Sequence, residues 1–397
     1  MPGPLVVAWQ YIDNGLASWG WEAAHALAEA GEEVVLVHAE GFPLPTPTHE
    51  RVCSLSFSPS WARGSGVVFR LRRRLGRDIG HILQTRNGFV YDLHCHLQSR
   101  GIVPRAYLLN QSDLMDERVA TPQYPVAWAY PTHLQGYLDK TRRYTGGASA
   151  WSWKGFGTTR FSIGWYRRDW RAYRRATGGI LAVSERIAGE LRAVGVHRVC
   201  VVHPGTQVPA CFACDGASGG HLRIITVAVE LEDPRKRVRW MLEALKTISK
   251  PSFTLTVVGK ASAEMQDWAR TNHFPVRFTG PVSREAAQGL MAQHDLFLFG
   301  SLVDDWGYVL IEAMGQGLMV AAPNLSPFDE IVGDSGILYP PEDPIGLARL
   351  VSELHESRVE EGRHAAYTRA REKFSRPAFA RSLLEALENQ EQAASLS

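Results

Sequence analysis

Long apolar runs are missing from this chain of 397 residues. No window approaches the roughly 18–20 apolar residues that cross a bilayer, so a spanning helix is not expected. Cysteine is scarce: Cys53, Cys95, Cys200, Cys211 and Cys214 make five. A small odd set argues against a disulfide scaffold and fits a reducing compartment. Met1–Pro4 carries no basic residue and Leu5–Trp9 has the length of a strand, so no secretory leader is expected and the expected location is cytoplasmic. No GxGxxG follows the first strand, which excludes the dinucleotide fingerprint in its usual form. Strong net charge is absent too, at +2.

What is present describes a soluble α/β chain. Apolar residues make up 45% and charged residues 21%, ordinary for a globular protein, and the length exceeds one core. The near-neutral total hides an asymmetry. Up to Gly205 there are 24 basic and 16 acidic residues, about +8; beyond it there are 19 and 25, about −6. Two halves of opposite balance point to two domains with different partners.

The most informative stretch is 296–323, LFLFGSLVDDWGYVLIEAMGQGLMVAAP. Leu296–Phe299 is a buried-strand run, Tyr308–Gln316 is helical by propensity, Gly317 is a stop, and Met319–Ala322 is a second buried strand. Strand, loop, helix, strand is the unit of a parallel sheet. Asp305 is placed as an N-cap, and Gly307 allows close approach to the backbone. A helix start of this kind binds phosphate. Glu312 lies further along the helix, roughly 10 Å from its start, where an acid can hold a pair of sugar hydroxyls.

The first half opens with a strand at Leu5–Trp9, a turn at Asp13–Gly15, a helix over Ser18–Ala30 and a strand over Glu33–His38. Gly15 and Gly20 flank that helix start; an ordinary turn and a phosphate contact are both open there. Phe89–Leu97, FVYDLHCHL, reads as a strand with Asp92, His94 and His96 on one face. Three readings stand for that face: a metal site like the opening motif of PHP-type phosphoesterases, a contact to sugar or acceptor, and a structural role. Further His and Asp motifs of that phosphoesterase family are not found. Ala106–Asp113 is the next strand and its polar edge. Trp165–Ala176, WYRRDWRAYRRA, makes a basic aromatic helix, joined in charge by Arg70–Arg77. It fits a solvated helix over the core, a contact for an anionic acceptor, or a site on anionic membrane. No nucleic-acid module accompanies it, so nucleic acid is not an expected partner.

Gly179–Val183 is a strand, Ser184 caps a helix to Ala193, and Arg198–His203 is a strand. Val208–Gly220 is rich in Ala, Gly, Cys and Pro and reads as a linker; its Cys211 and Cys214 have no second pair to complete a zinc site. The alternation then restarts: strand Leu222–Val229, helix to Ile248, strand Phe253–Gly259, helix Glu264–Asn272, strand Val276–Thr279 ending in Gly280–Pro281, and helix Ser283–His294. Arg235, Lys236 and Arg237 lie beyond the first of these strands, at the edge where open α/β sheets bind ligands.

The second half resembles the donor domain of the retaining GT-B glycosyltransferases of family 4. Their hallmark, P-S-x-x-E-P-F-G-L-x-x-x-E-A-M-A-x-G-x-P-V, stands here as Gly300–Val320, and the later E-I-V as Glu330–Val332. The G-R-L…K-G segment is matched by Ala228–Glu230 with Lys236–Arg237, and V-x-F-x-G-x-V by Val276–Val282. I-I-x-V-S is matched by Ile180–Ser184, and Phe374–Leu387 resembles the helix that crosses back to the first domain. The likeness is strong over about 179–387 and only one of pattern before that.

The resemblance implies a GT-B fold, two Rossmann-like doubly wound domains facing across a cleft. Expected boundaries are 1–207, a linker 208–221, a donor domain 222–375, and a returning helix 376–397. It implies that Glu312 binds the ribose diol, that Lys236 neutralises the donor diphosphate, and that Gly307 and Tyr308 offer backbone amides. Gly280, Trp306, Val309 and Glu330 fall on the donor side by the same matching, and Gly15, at the first helix start, is a further candidate donor contact. Asp304 replaces the first acid of the E-x7-E pair and is shorter by a methylene. Val229 stands where the family has an arginine, with Arg235 or Arg237 as substitutes. Asn110 or Gln111 replaces a sugar-touching histidine, leaving His94 and His96 as alternatives. The expected activity is sugar transfer from a nucleotide-sugar to a hydroxyl of a glycan, lipid-linked or small-molecule acceptor. No cofactor or metal is expected, and no D-x-D pair occurs in the sequence. The alternative is a GT-B-like subunit that binds nucleotide-sugar without turnover.

Overall fold

The computed structural model describes residues 5–8, 15–39, 48–57, 73, 82–85, 106–110, 179–193, 198–212, 221–233, 236–248, 252–302, 304 and 306–395. The described residues fall into two compact units. The first holds those up to Gly205 together with those from Ser375 onward; the second holds Thr206–Phe374.

The first unit is built on a seven-stranded parallel sheet of order β3-β2-β1-β4-β5-β6-β7. Its strands are β1 (Leu5–Ala8), β2 (Val34–Ala39), β3 (Val52–Phe57), β4 (Ile82–Thr85), β5 (Ala106–Asn110), β6 (Gly179–Ala182) and β7 (Val199–Val201). Strands β3 and β4 carry weak signals: VCSLSF mixes small polar residues with apolar ones, and ILQT has four residues. The helix after β1, α1 (Gly15–Glu29), starts at Gly15 itself rather than at Ser18. Helix α2 (Glu185–Ala193) has the expected cap, with Ile187 N donating to Ser184 Oγ at 3.3 Å. The expected strand Phe89–Leu97 and the basic aromatic run lie outside the described residues.

A six-stranded parallel sheet, order β10-β9-β8-β11-β12-β13, organises the second unit. It comprises β8 (Leu222–Glu230), β9 (Phe253–Lys260), β10 (Val276–Gly280), β11 (Leu296–Leu298), β12 (Met319–Pro323) and β13 (Ile337–Tyr339). Helices α3 (Val238–Leu245), α4 (Ala263–Thr271), α5 (Arg284–Met291), α6 (Tyr308–Gly315), α7 (Phe328–Val332), α8 (Pro344–Ser352) and α9 (Glu356–Lys373) complete it. Every residue of β11 and β12 is buried, as continuous apolar runs in a parallel sheet require. Both sheets start in the middle, run outward to one edge, and return to build the other. That is the doubly wound order, and it puts a switch point between β8 and β11.

Two polar anchors, one buried and one half-buried, stiffen the second sheet. Asp295, 0% exposed, accepts from the backbone N of Arg223 at 2.9 Å, from its Nε at 3.0 Å and from its Nη2 at 2.6 Å. His294 donates Nδ1–H to Leu290 O at 2.7 Å and accepts the Thr256 hydroxyl at Nε2, 2.8 Å away. This neutral tautomer satisfies both nitrogens. Burial pulls its pKa below the ordinary histidine value.

The segment read as a linker is packed over its described part. Pro209 O accepts from Tyr367 Oη at 2.7 Å, and the Phe212 ring lies 4.7 Å from that of Tyr367 on α9. The aromatic at 212 overrides the loop-like composition around it. Helix α10 (Arg376–Ser395) belongs to the first unit, where Arg376 bonds Glu22 at 2.7 Å and Glu29 at 2.8 Å, both on α1.

Candidate active site

The switch point of the second sheet is where the sequence motifs converge. After β8 the chain turns back on Asp233, whose carbonyl accepts from Lys236 N at 2.9 Å. Arg237 then takes a left-handed conformation, φ 54°, and α3 begins. That turn sends the two basic side chains different ways. Arg237 is 3% exposed with its guanidinium carbon 3.7 Å from the Trp240 ring centroid. Lys236 reaches across to the loop after β11, where its Nζ lies 2.7 Å from Asp304 Oδ2. Arg237, offered by the sequence as a substitute for the family's arginine, is buried against Trp240. Arg235 lies outside the described residues.

Gly300 lets the two loops meet. A Cβ there would stand 2.7 Å from Met241 Sδ and 3.0 Å from the Lys236 carbonyl oxygen, so a side chain would displace the Met241 thioether and crowd the Lys236 backbone. Seven residues on, Gly307 has φ 94° and is the N-cap of α6, with no side-chain cap bond. A left-handed N-cap is glycine's province; Asp305, the expected N-cap, lies outside the described residues. Helix α6 thus starts on a residue that has no side chain to cap it, with the amides of Tyr308 and Val309 in its first turn. Its positive dipole end lies at the carboxyl edge of the sheet, where anions are favoured.

The aromatic neighbours of that start point inward. Trp306 is 1% exposed and meets Phe374 edge-on at 5.8 Å; Tyr308 is 7% exposed. The Trp306 indole, expected on the donor side, is a core group that fixes the loop. Such a distinction between ring and backbone is invisible to motif matching.

Glu312 sits in the second turn of α6 with its side chain 11% exposed. Its Oε1 is 2.5 Å from Arg284 Nε, and Arg284 Nη2 donates to Thr206 Oγ1 at 3.1 Å. Sequence reasoning missed Arg284; its only signal is a cation two residues after the matched Val276–Val282 segment. Gly280, φ 76°, closes β10 just before it. On α7, Glu330 accepts from Ser326 Oγ at 3.0 Å, while its backbone carbonyl and that of Ile331 are held by Arg369 at 2.8 and 2.6 Å.

In the first unit, Gly15 opens α1 beside the β1–β4 switch point, and Asn110 ends β5 at the same carboxyl edge. His94, His96 and Gln111 lie outside the described residues. Among the described residues no group of three or more His, Cys, Asp or Glu is placed to hold a metal, and no helix is long and apolar enough to cross a membrane.

Comparison with solved structures places this geometry. Sucrose-phosphate synthase from Thermosynechococcus elongatus superposes with a TM-score of 0.67 at 15% identity, over 99% of this chain and all of that one. Anabaena Alr3699/HepE, solved in complex with UDP and glucose, gives 0.62 at 14% identity over 98% and 100%. The fold is GT-B. Residues 222–357, from the first residue of β8 into α9, match the model of the Glycosyl transferases group 1 family. Within the curated proteins, the chain is 30% identical over 138 residues to the phosphatidyl-myo-inositol mannosyltransferase of Mycolicibacterium smegmatis, 33% of this chain and 36% of that protein. The chain therefore matches about a third of the length of that curated relative. The GT-B match encompasses the switch point with Lys236, Asp304, Gly307 and Glu312.

Proposed function

We propose that the protein is a retaining glycosyltransferase of the family 4 type, moving a sugar from a nucleotide-sugar to a hydroxyl acceptor. The observation that carries this reading is the Lys236–Asp304 pair beside the Gly307 helix start, with Glu312 further along the same helix. Its place at a doubly wound switch point, inside a segment matching a glycosyltransferase family, supports it.

In this reading Lys236 and the first amides of α6 meet the diphosphate, and Glu312 takes the ribose diol. Asp304 touches the transferred sugar; Glu330 is a further acid on the donor side. The acceptor oxygen attacks the anomeric carbon from the face that the diphosphate leaves. The carbon–oxygen bond to phosphate breaks, and the acceptor proton passes to the departing phosphate oxygen. The protein contributes positioning and stabilisation of the leaving charge. Protein groups meet that charge without a metal, so chelator is expected to leave the rate unchanged.

The mannosyltransferase relative favours a hexose donor, and its phosphatidyl-myo-inositol acceptor favours a lipid-linked one. The basic aromatic run Trp165–Ala176 suits the anionic surface of a membrane reached from the cytoplasm. Thermal shift and donor hydrolysis across UDP-, GDP-, ADP- and TDP-sugars test the central claim, which fails if no nucleotide stabilises the protein. Glu312→Ala is expected to weaken donor binding about tenfold or more with folding intact, since a charged hydrogen-bond partner is removed. Unchanged turnover takes that residue out of the site.

A further inference from the structure

Arg284 occupies a place that its own helix does not favour. It is the first residue of α5, where a cation opposes the positive end of the dipole. The helix start is served by others: Ser283 Oγ accepts from Ala286 N at 3.2 Å, and Glu285 supplies an acid to the first turn. The Arg284 side chain instead reaches out of α5 to Glu312 on α6 and to Thr206.

Those two contacts fix its plane. Nε engages Glu312 Oε1 at 2.5 Å and Nη2 donates to Thr206 Oγ1 at 3.1 Å. Thr206 is itself fixed, fully buried, with its backbone N–H bonded to Phe374 O at 2.8 Å. A guanidinium is a rigid planar fork, so fixing two of its nitrogens fixes the direction from which it grips a carboxylate. Glutamate, by contrast, has several rotatable bonds and loses much rotamer freedom when it is ordered. A carboxylate that accepts from two adjacent ribose hydroxyls must present its oxygens in one orientation before the ligand arrives.

We propose that Arg284, anchored on Thr206, is a positioning residue that sets the Glu312 carboxylate for the ribose diol of the donor nucleotide. The inference rests on the assignment of Glu312 to the ribose. Arg284 acts through Glu312 and not on the reacting atoms, so its loss is felt in donor KM more than in kcat.

The test compares affinities for a ribonucleoside diphosphate and its 2′,3′-dideoxy analogue, the base being the one that stabilises the wild type most. Wild type is expected to prefer the ribonucleotide by about tenfold, the scale of a charged hydrogen bond. Arg284→Ala and Glu312→Ala should both lose that preference. Arg284→Lys keeps the charge but not the fork and should recover less than half of it. Thr206→Val, which keeps Arg284 and removes only its anchor, should narrow the ratio and serves if Arg284→Ala does not fold. If wild type discriminates, Glu312→Ala does not, and either Arg284→Ala or Thr206→Val discriminates like wild type, the positioning role is overturned while the Glu312 assignment stands. If wild type shows no preference, both are overturned.

Discussion

Replacing Asp304 by asparagine should move two measurements in opposite directions. In the structure Lys236 Nζ is 2.7 Å from Asp304 Oδ2, with side-chain exposures of 26% and 28%. A pair this open is worth about 0.2–1 kcal/mol after screening. A diphosphate arriving without its sugar must draw Lys236 away from that partner. Asparagine keeps the shape and removes the charge, so a nucleoside diphosphate should bind up to about fivefold tighter, at 1.4 kcal/mol per tenfold. The intact nucleotide-sugar loses a charged contact to the sugar worth about 1.5–3 kcal/mol. Transfer, measured as kcat/KM, should accordingly fall roughly 10- to 150-fold. Titration calorimetry with the nucleoside diphosphate and steady-state kinetics with the nucleotide-sugar read the two arms separately. The gain in the first arm should shrink as salt rises, because the pair is open to solvent. Weaker binding of the free diphosphate to Asp304→Asn than to wild type would refute the reasoning, since Asp304 would then support the phosphate site rather than compete for its lysine.

Other consequences follow from the anchors of the second sheet. Asp295→Ala leaves Arg223 without its buried carboxylate and should cost about 3–5 kcal/mol, seen as a lowered urea midpoint for the second unit. A loss below about 1 kcal/mol would mean that water replaces the carboxylate. His294 is held neutral by burial, with its pKa lowered. Below about pH 6.5 the unfolded state binds the proton more readily than the folded one. Stability should therefore fall as pH drops from about 6.5 through the lower folded pKa, and His294→Gln should flatten that slope in acid melts. An unaltered slope would assign the acid sensitivity to other groups.

Much of the second unit was legible because its signals are local. Strands β11 and β12 are unbroken apolar runs and β8 is nearly one, helices α4, α5 and α8 have serine or aspartate caps, and Gly317 ends α6 where propensity said it would. The switch point followed from strand order alone. Three things were not legible. Arg237 and Trp306 lie in motifs that carry ligand-binding residues, yet a left-handed turn in one case and the Phe374 ring in the other send their side chains inward. Whether a side chain faces ligand or core depends on tertiary packing, which a motif does not encode. The Arg284–Glu312 pair joins residues 28 apart on different helices, a separation with no periodicity to betray it. In the first unit β3 and β4 are too short or too mixed to stand out, and pairing with β2 on one side and with β1 and β5 on the other defines them.

The return of the chain at Ser375 has a consequence for synthesis. Thr206 N bonds Phe374 O at 2.8 Å, so the two ends of the second unit are tied to each other. That unit can close on itself as soon as its own residues are made. The first unit cannot: Glu22 on α1, 1% exposed, waits for Arg376, 354 positions later. On the ribosome, where domains fold as they emerge, the later-translated unit is complete first, and the earlier one stays open until α10 arrives. A truncation before Arg376 should thus spare the second unit and leave the first without the arginine that bridges Glu22 and Glu29 on α1.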